Sequence, residues 1–193
     1  MDLLHKMYSE FSVHPADVDE KAIEAGLDSA GCKDMIEYGA KLVLALSRAK
    51  ADAVYRAEGC PADTLVVGAD TIVAVDDEIF EKPVDRDDAV RMLRKESLKH
   101  QQVLTGVCFV KDGRYHSFVE STLVVFNKLD EVQERHIQEY CDTDEPYDKS
   151  GSYGIQVIGD KMVDYIEGSI DNVVGFPTDR ARRELELFLG SDQ

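Results

Sequence analysis

Two β-rich runs, Val103–Lys111 and Tyr115–Phe126, flank the dipeptide Asp112-Gly113. That dipeptide readily takes the positive φ values of a tight turn, so the segment predicts a long antiparallel hairpin. Around it the chain alternates helical and β-rich patterns. From about Lys33 to Glu58 an apolar stripe of Ile36, Val43, Leu46, Ala53, Val54 and Ala57 recurs at helical period. Gly59 and Pro61 stop this helix. A short helix near Met1 carries Leu3, Leu4, Met7 and Phe11 on one face. Thr64–Val67 and Thr71–Val75 read as strand, Asp76-Asp77 as a turn and Glu78–Glu81 as a short return strand. Asp85–Ser97, Glu131–Tyr140 and Thr178–Leu189 read as further helices, and 145–160 as a loop punctuated by Gly151, Gly154 and Gly159. This order predicts an α/β fold, helices on a mixed sheet, in a single domain spanning 1–193.

Charge narrows the partners. The chain has 22 Lys and Arg against 39 Asp and Glu, a net charge of −17. Such a surface repels phosphate backbones and anionic lipid, which argues against nucleic acid and membrane surfaces. Apolar runs such as Leu42–Leu46 are far too short to span a bilayer. The first twenty residues carry Asp2, Lys6, Glu10 and Asp17 and do not read as a secretory signal. Cys32, Cys60, Cys108 and Cys141 are dispersed, with no C-x-x-C, so reduced thiols in a cytoplasmic protein are expected.

The chain has no G-x-x-x-x-G-K-[ST], G-x-G-x-x-G, G-x-S-x-G or H-E-x-x-H. Its five histidines stand apart from one another. What remains is a set of acids and lysines at inward positions. Asp70 follows the apolar run Leu65–Ala69, at what reads as the carboxyl end of a buried strand, where α/β sheets bind ligands. Lys50 lies on the apolar stripe of its helix and must either find an anion or extend its stem to the edge. Lys82 precedes Pro83 in an extended segment, where a solvated loop lysine is the simpler reading. Asp17-x-x-Glu20 reads as a capping box, and the acids there could also face a ligand. Together these acids and lysines suit a nucleoside triphosphate, with Mg²⁺ held by carboxylates and phosphates and lysines neutralising the remaining charge.

Several motifs in order make the reading specific. They are Asp17-Val18-Asp19-Glu20, Ala49-Lys50-Ala51, Gly68-Ala69-Asp70-Thr71, Glu81-Lys82-Pro83 and Leu104-Thr105-Gly106-Val107. Asp148 to Gln156 and Asn172-Val173-Val174-Gly175-Phe176-Pro177 follow. The set resembles the Maf family of nucleotide pyrophosphatases over essentially the whole chain. The resemblance implies an elongated mixed sheet flanked by helices, with two lobes and a central cleft, as in inosine triphosphatase-like enzymes. It implies hydrolysis of a nucleoside triphosphate to the monophosphate and pyrophosphate, with Mg²⁺ or Mn²⁺ as cofactor and a homodimer as a common assembly.

By the same resemblance, Asp70 is the catalytic carboxylate that takes the proton of the attacking water, and Glu20 and Asp70 hold the metal. Lys50 and Lys82 bind phosphates, and Thr71 and Gln156 tune base choice. Thr after the catalytic Asp, with Tyr-Gly-Ile-Gln later, marks the branch that prefers dTTP and UTP. The family pattern opens with a strand and a Ser-Pro-Arg-Arg loop that this sequence does not contain. Gln101 stands where many members have His, and Val157 where a small residue is usual. The alternative expectation is therefore a weakened, nucleotide-binding or regulatory relative.

Overall fold

A computed structural model describes residues 2–190. The chain runs α1 (Asp2–His5), α2 (Glu20–Ala25), α3 (Met35–Ala57), β1 (Val66–Val75), β2 (Glu78–Phe80), α4 (Arg86–Glu96), β3 (Gln101–Lys111) and β4 (Arg114–Phe126). It continues through α5 (Glu131–Cys141), α6 (Ile155–Met162), β5 (Val163–Glu167), α7 (Ile170–Val174) and α8 (Thr178–Gly190). Met1, near which the first helix is expected to begin, lies outside the described residues. So do residues 191–193 of the expected 1–193 domain.

Aspartates fix where the helices start. Asp34, Asp85 and Asp130, all in extended backbone, accept from backbone N–H groups in the first turns of α3, α4 and α5. Each satisfies a donor the helix itself leaves orphaned. At α2 the cap is Asp19, which accepts from the Ala22 N–H at 3.0 Å. The expected Asp17-x-x-Glu20 box does not form there. Glu20 instead opens the helix, with its carboxylate available to a distant partner.

The five strands are ordered β2-β1-β3-β4-β5, and each pairing is antiparallel. The fold is α/β with flanking helices, but the sheet is antiparallel where a mixed sheet was expected. The reason lies in the connections. Tight turns join β1 to β2 and β3 to β4, while α4 returns the chain to β3 on the far side of β1, so no helix links parallel neighbours. Asp70 sits in the middle of a continuous ten-residue β1 rather than at a strand end.

The sheet has two differently covered faces. Val66, Ile72, Ala74, Leu104, Cys108 and Val110 pack against α3, through Val43, Ala51 and Tyr55. Two glycines let the α3 backbone approach the strands directly. A Cβ at Gly106 would overlap the Val43 carbonyl, and one at Gly68 would overlap the Ser47 carbonyl. The opposite face carries two separate cores. Val73, Val75, Val103, Val124 and Phe126 meet α4, α5 and α6, whereas Val107, Phe109 and Phe118 meet α8 and α1. Between these cores runs a polar band of Thr71, Thr105 and Thr122, and the α7 residue Asn172 packs on it. No helix among the described residues is long and apolar enough to cross a membrane.

Sequence reasoning missed α6, because Gly154 and Gly159 look like loop punctuation. Gly154 precedes the helix, and Gly159 within it leaves ordinary contact distance to Ile155. Beneath the preceding loop lies Glu96, fully buried, with neither carboxyl oxygen hydrogen-bonded among the described residues. Burial pushes its pKa well above the ordinary 4.5. Between 4.5 and its raised folded value, the folded protein therefore holds a proton that the unfolded chain releases. The resulting stabilisation is complete below 4.5 and is lost as pH rises through the folded value. Glu96→Leu is expected to add about 1–3 kcal/mol above the unfolded value of 4.5 and to flatten the decline in stability as pH rises from there. Thermal melts across a pH series check it, and an unchanged slope would acquit Glu96.

Candidate active site

The site begins with the close approach of α3 to the sheet. Because Gly68 carries no side chain, the turn of α3 around Ser47–Ala51 lies directly against β1. Lys50 is thereby brought beside Asp70, two residues along the strand on the same face. The Lys50 Nζ donates to Asp70 Oδ1 at 2.6 Å and lies 2.7 Å from Glu20 Oε1. One ammonium thus joins the long helix, β1 and the first residue of α2. The Asp70 side chain is 13% exposed and that of Lys50 23%, whereas Glu20 is 54% exposed. The inner pair is sheltered and Glu20 faces the opening.

Burial raises the Asp70 pKa above its ordinary 3.8, Lys50 pulls it down, and the nearby charges of Glu20 and Glu81 push it up. Burial works against the Lys50 charge, but its bonds to Asp70 and Glu20 outweigh this and hold its pKa above 10.5. Both pKa values are raised, which favours the charged form of Lys50 and disfavours that of Asp70. Lysine gains two carboxylates, while Asp70 shares that ammonium with Glu20 and also feels the charge of Glu81. Lys50 is therefore charged, and Asp70 is more basic than an ordinary aspartate.

These residues line a cleft of about 510 Å³ together with Thr71, Glu81, Lys82 and Ser150. Lys82 makes no ion pair among the described residues, and its charge reaches Asp148 only at longer range, helping to lower that carboxyl's pKa. Gln156, in the first turn of α6, lies in an adjoining cleft of about 360 Å³. Thr71 and Ser150 belong to both. Five of the six expected residues thus share one cleft, and Thr71 connects it to the sixth. The loop between the clefts is pinned to the sheet. Ser150 Oγ donates to the Thr71 carbonyl at 3.2 Å, and the Gly151 N–H donates to the Glu81 carbonyl at 3.2 Å.

Sequence reasoning assigned no role to Glu81 or Ser150, although both adjoin recognised positions. Their neighbours Lys82 and Gly151 were the available signal. Thr105, whose hydroxyl lies 2.9 Å from that of Thr71, was also missed. Its partnership depends on strand register, which no local motif encodes.

Glu20 and Asp70 offer hard carboxylate oxygens, the donor type that Mg²⁺ takes. Among the described residues no group of three or more His, Cys, Asp or Glu is arranged as a cage. That donor set fits an ion drawing most of its shell from phosphate and water.

The family described as Maf-like protein matches residues 1–188. A dTTP/UTP pyrophosphatase of Vibrio cholerae is 42% identical over 176 residues, covering 91% of this chain and 86% of the relative. One of Exiguobacterium sibiricum is 39% identical over 187 residues, covering 97% and 86%. One of Porphyromonas gingivalis is 44% identical over 150 residues, covering 77% and 73%.

Proposed function

This chain belongs to the Maf family, and on that premise we propose that it hydrolyses dTTP and UTP to the monophosphate and pyrophosphate. The observation that carries the proposal is the Asp70–Lys50–Glu20 cluster within a cleft that Lys21 and Lys82 also line, Lys82 making no ion pair among the described residues. A triphosphate brings about four negative charges, which a chain of net charge −17 must offset locally. Lys82 is free to meet them, and Lys50 can turn from its carboxylates toward a bound phosphate.

Water attacks the α-phosphorus. As the new P–O bond forms, the bond to the α,β-bridging oxygen breaks and pyrophosphate departs. The proton of the attacking water passes to Asp70, whose raised pKa suits a general base better than an ordinary aspartate. Lys50 and Lys82 stabilise charge gathering on the phosphate oxygens. Glu20 and Asp70 would hold a Mg²⁺ or Mn²⁺ ion, which when bound supplies further neutralisation of the phosphates. Thr71 and Gln156 would read the base from the adjoining cleft. The four free thiols support a reducing, cytoplasmic setting, and the family resemblance implies a homodimer.

The test is pyrophosphate release from dTTP, UTP, CTP, ATP and GTP with Mg²⁺ and with Mn²⁺. The expected kcat/KM for dTTP or UTP exceeds that for ATP and GTP by about tenfold or more. Equal rates on purines and pyrimidines would sink the base assignment. Binding of dTTP without release would instead support a nucleotide-binding protein.

A further inference from the structure

Thr71 and Thr105 stand directly opposite each other in the β1–β3 ladder. Both point to the face between the two apolar cores, where a continuous hydroxyl network replaces aliphatic packing. Their hydroxyl oxygens are 2.9 Å apart. Thr71 Oγ1 can also donate to the Gly175 carbonyl at 3.4 Å, and Thr105 Oγ1 to the Asn172 carbonyl at 3.5 Å. Those carbonyls are held in place. Asn172 is fully buried and donates through Nδ2 to the Val103 carbonyl at 3.0 Å and to Thr122 Oγ1 at 3.1 Å.

A hydroxyl has one proton and two acceptor positions. Three arrangements keep both threonine protons on protein acceptors. Thr105 donates to Thr71, which donates to Gly175; Thr71 donates to Thr105, which donates to Asn172; or each donates to its own carbonyl, leaving two lone pairs opposed at 2.9 Å. In each the Thr71 proton is spent inside the protein. The hydroxyl then faces the cleft it shares with Gln156 and Gly175 with only lone pairs to offer. Thr105 is fully buried and does not line that cleft, so any influence it has on a ligand passes through Thr71.

We propose that Thr105 is a positioning residue for base recognition, which fixes Thr71 as a hydrogen-bond acceptor toward the ring N3–H of uracil or thymine. The proposal rests on the nucleotide reading above and adds to it a way of excluding cytosine. Uracil and thymine present a donor at N3 between two carbonyls. Cytosine presents a bare acceptor there, which would oppose the Thr71 lone pair. Without Thr105, the Thr71 proton keeps only the long 3.4 Å contact to the Gly175 carbonyl, so it can swing into the cleft and serve the cytosine pattern.

The wild-type chain is first assayed for pyrophosphate release from dTTP, UTP and CTP. No release from any of them overturns the activity reading itself, and this proposal with it. Given activity, Thr105→Val removes the hydroxyl while preserving shape. The expected result is a KM for dTTP raised about fivefold to tenfold, with kcat within about twofold of wild type. The dTTP-to-CTP ratio of kcat/KM should fall about tenfold. Thr105→Ser, which keeps the hydroxyl, should restore both values. An unchanged ratio in a folded Thr105→Val, or no rescue by Ser, overturns the proposal while leaving the activity standing. Thr105→Ala replaces the valine variant if that one does not fold. Failure of both to fold would make Thr105 an element of the fold alone and also overturn it.

Discussion

Asp70→Asn is expected to lower turnover of dTTP or UTP by about 10²-fold or more, the cost of losing a general base. The substitution preserves shape, and an amide can still accept from the Lys50 ammonium. Lys50 also retains Glu20 at 2.7 Å, so its charge is not stranded. The thermal midpoint should therefore stay close to wild type while chemistry fails. What disappears is the ability to take a proton. Turnover of wild type should fall as pH drops through the Asp70 pKa, which burial places above 3.8. The acid limb of kcat thus lies higher than for an exposed aspartate, and Asp70→Asn should lack it. Pyrophosphate release across a pH series, with dTTP binding measured alongside, checks both points. Near-normal turnover would remove Asp70 from the chemistry, whatever its surroundings.

Legibility in the sequence followed the range of the interaction. The α3 helix was readable because its apolar stripe is local, and its observed span, Met35–Ala57, lies within two residues of the expected limits. The β3–β4 hairpin was readable from one dipeptide turn. Each residue expected at the phosphate end reached one cleft, and the ordered motifs named them before any contact was visible. The sheet direction was not readable. Alternating helices and strands suggest parallel crossovers, and only the placement of β1 between β2 and β3 shows otherwise. Lys50 had two fair readings until Gly68 was seen to draw its helix against β1. Thr105 gave no signal as a single residue, since its meaning comes from facing Thr71 across the ladder. Glu96 likewise reads as an ordinary helix-end acid on a charged helix, although tertiary packing buries it completely.

The same close packing makes Gly106 the position where stability and site are expected to fail together. Gly106 lies opposite Asp70 in the ladder, on the face covered by α3. A methyl group there would overlap the Val43 carbonyl oxygen and carbon and sit 2.9 Å from the Leu44 nitrogen. These are backbone atoms in the interior of a 23-residue helix, so no rotamer change relieves the overlap. The helix must lift from the sheet or β3 must bow. Overpacking of this kind costs about 1–3 kcal/mol, and more when the obstacle is backbone. Gly106→Ala should accordingly lower the thermal midpoint by roughly 2–12 °C for a chain of this size. Lys50 rides on the same helix two turns beyond Val43, so lifting α3 also lengthens its 2.6 Å bond to Asp70. Activity of the folded fraction should therefore fall with stability. Gly159→Ala is the matching control, because a Cβ there comes no nearer than 3.7 Å to Ile155. It should leave stability unchanged or raise it by up to about 1 kcal/mol, as expected of alanine for glycine within a helix. A Gly106→Ala protein that melts and turns over like wild type would show that α3 and the sheet are not in the contact on which the Asp70–Lys50 pairing depends.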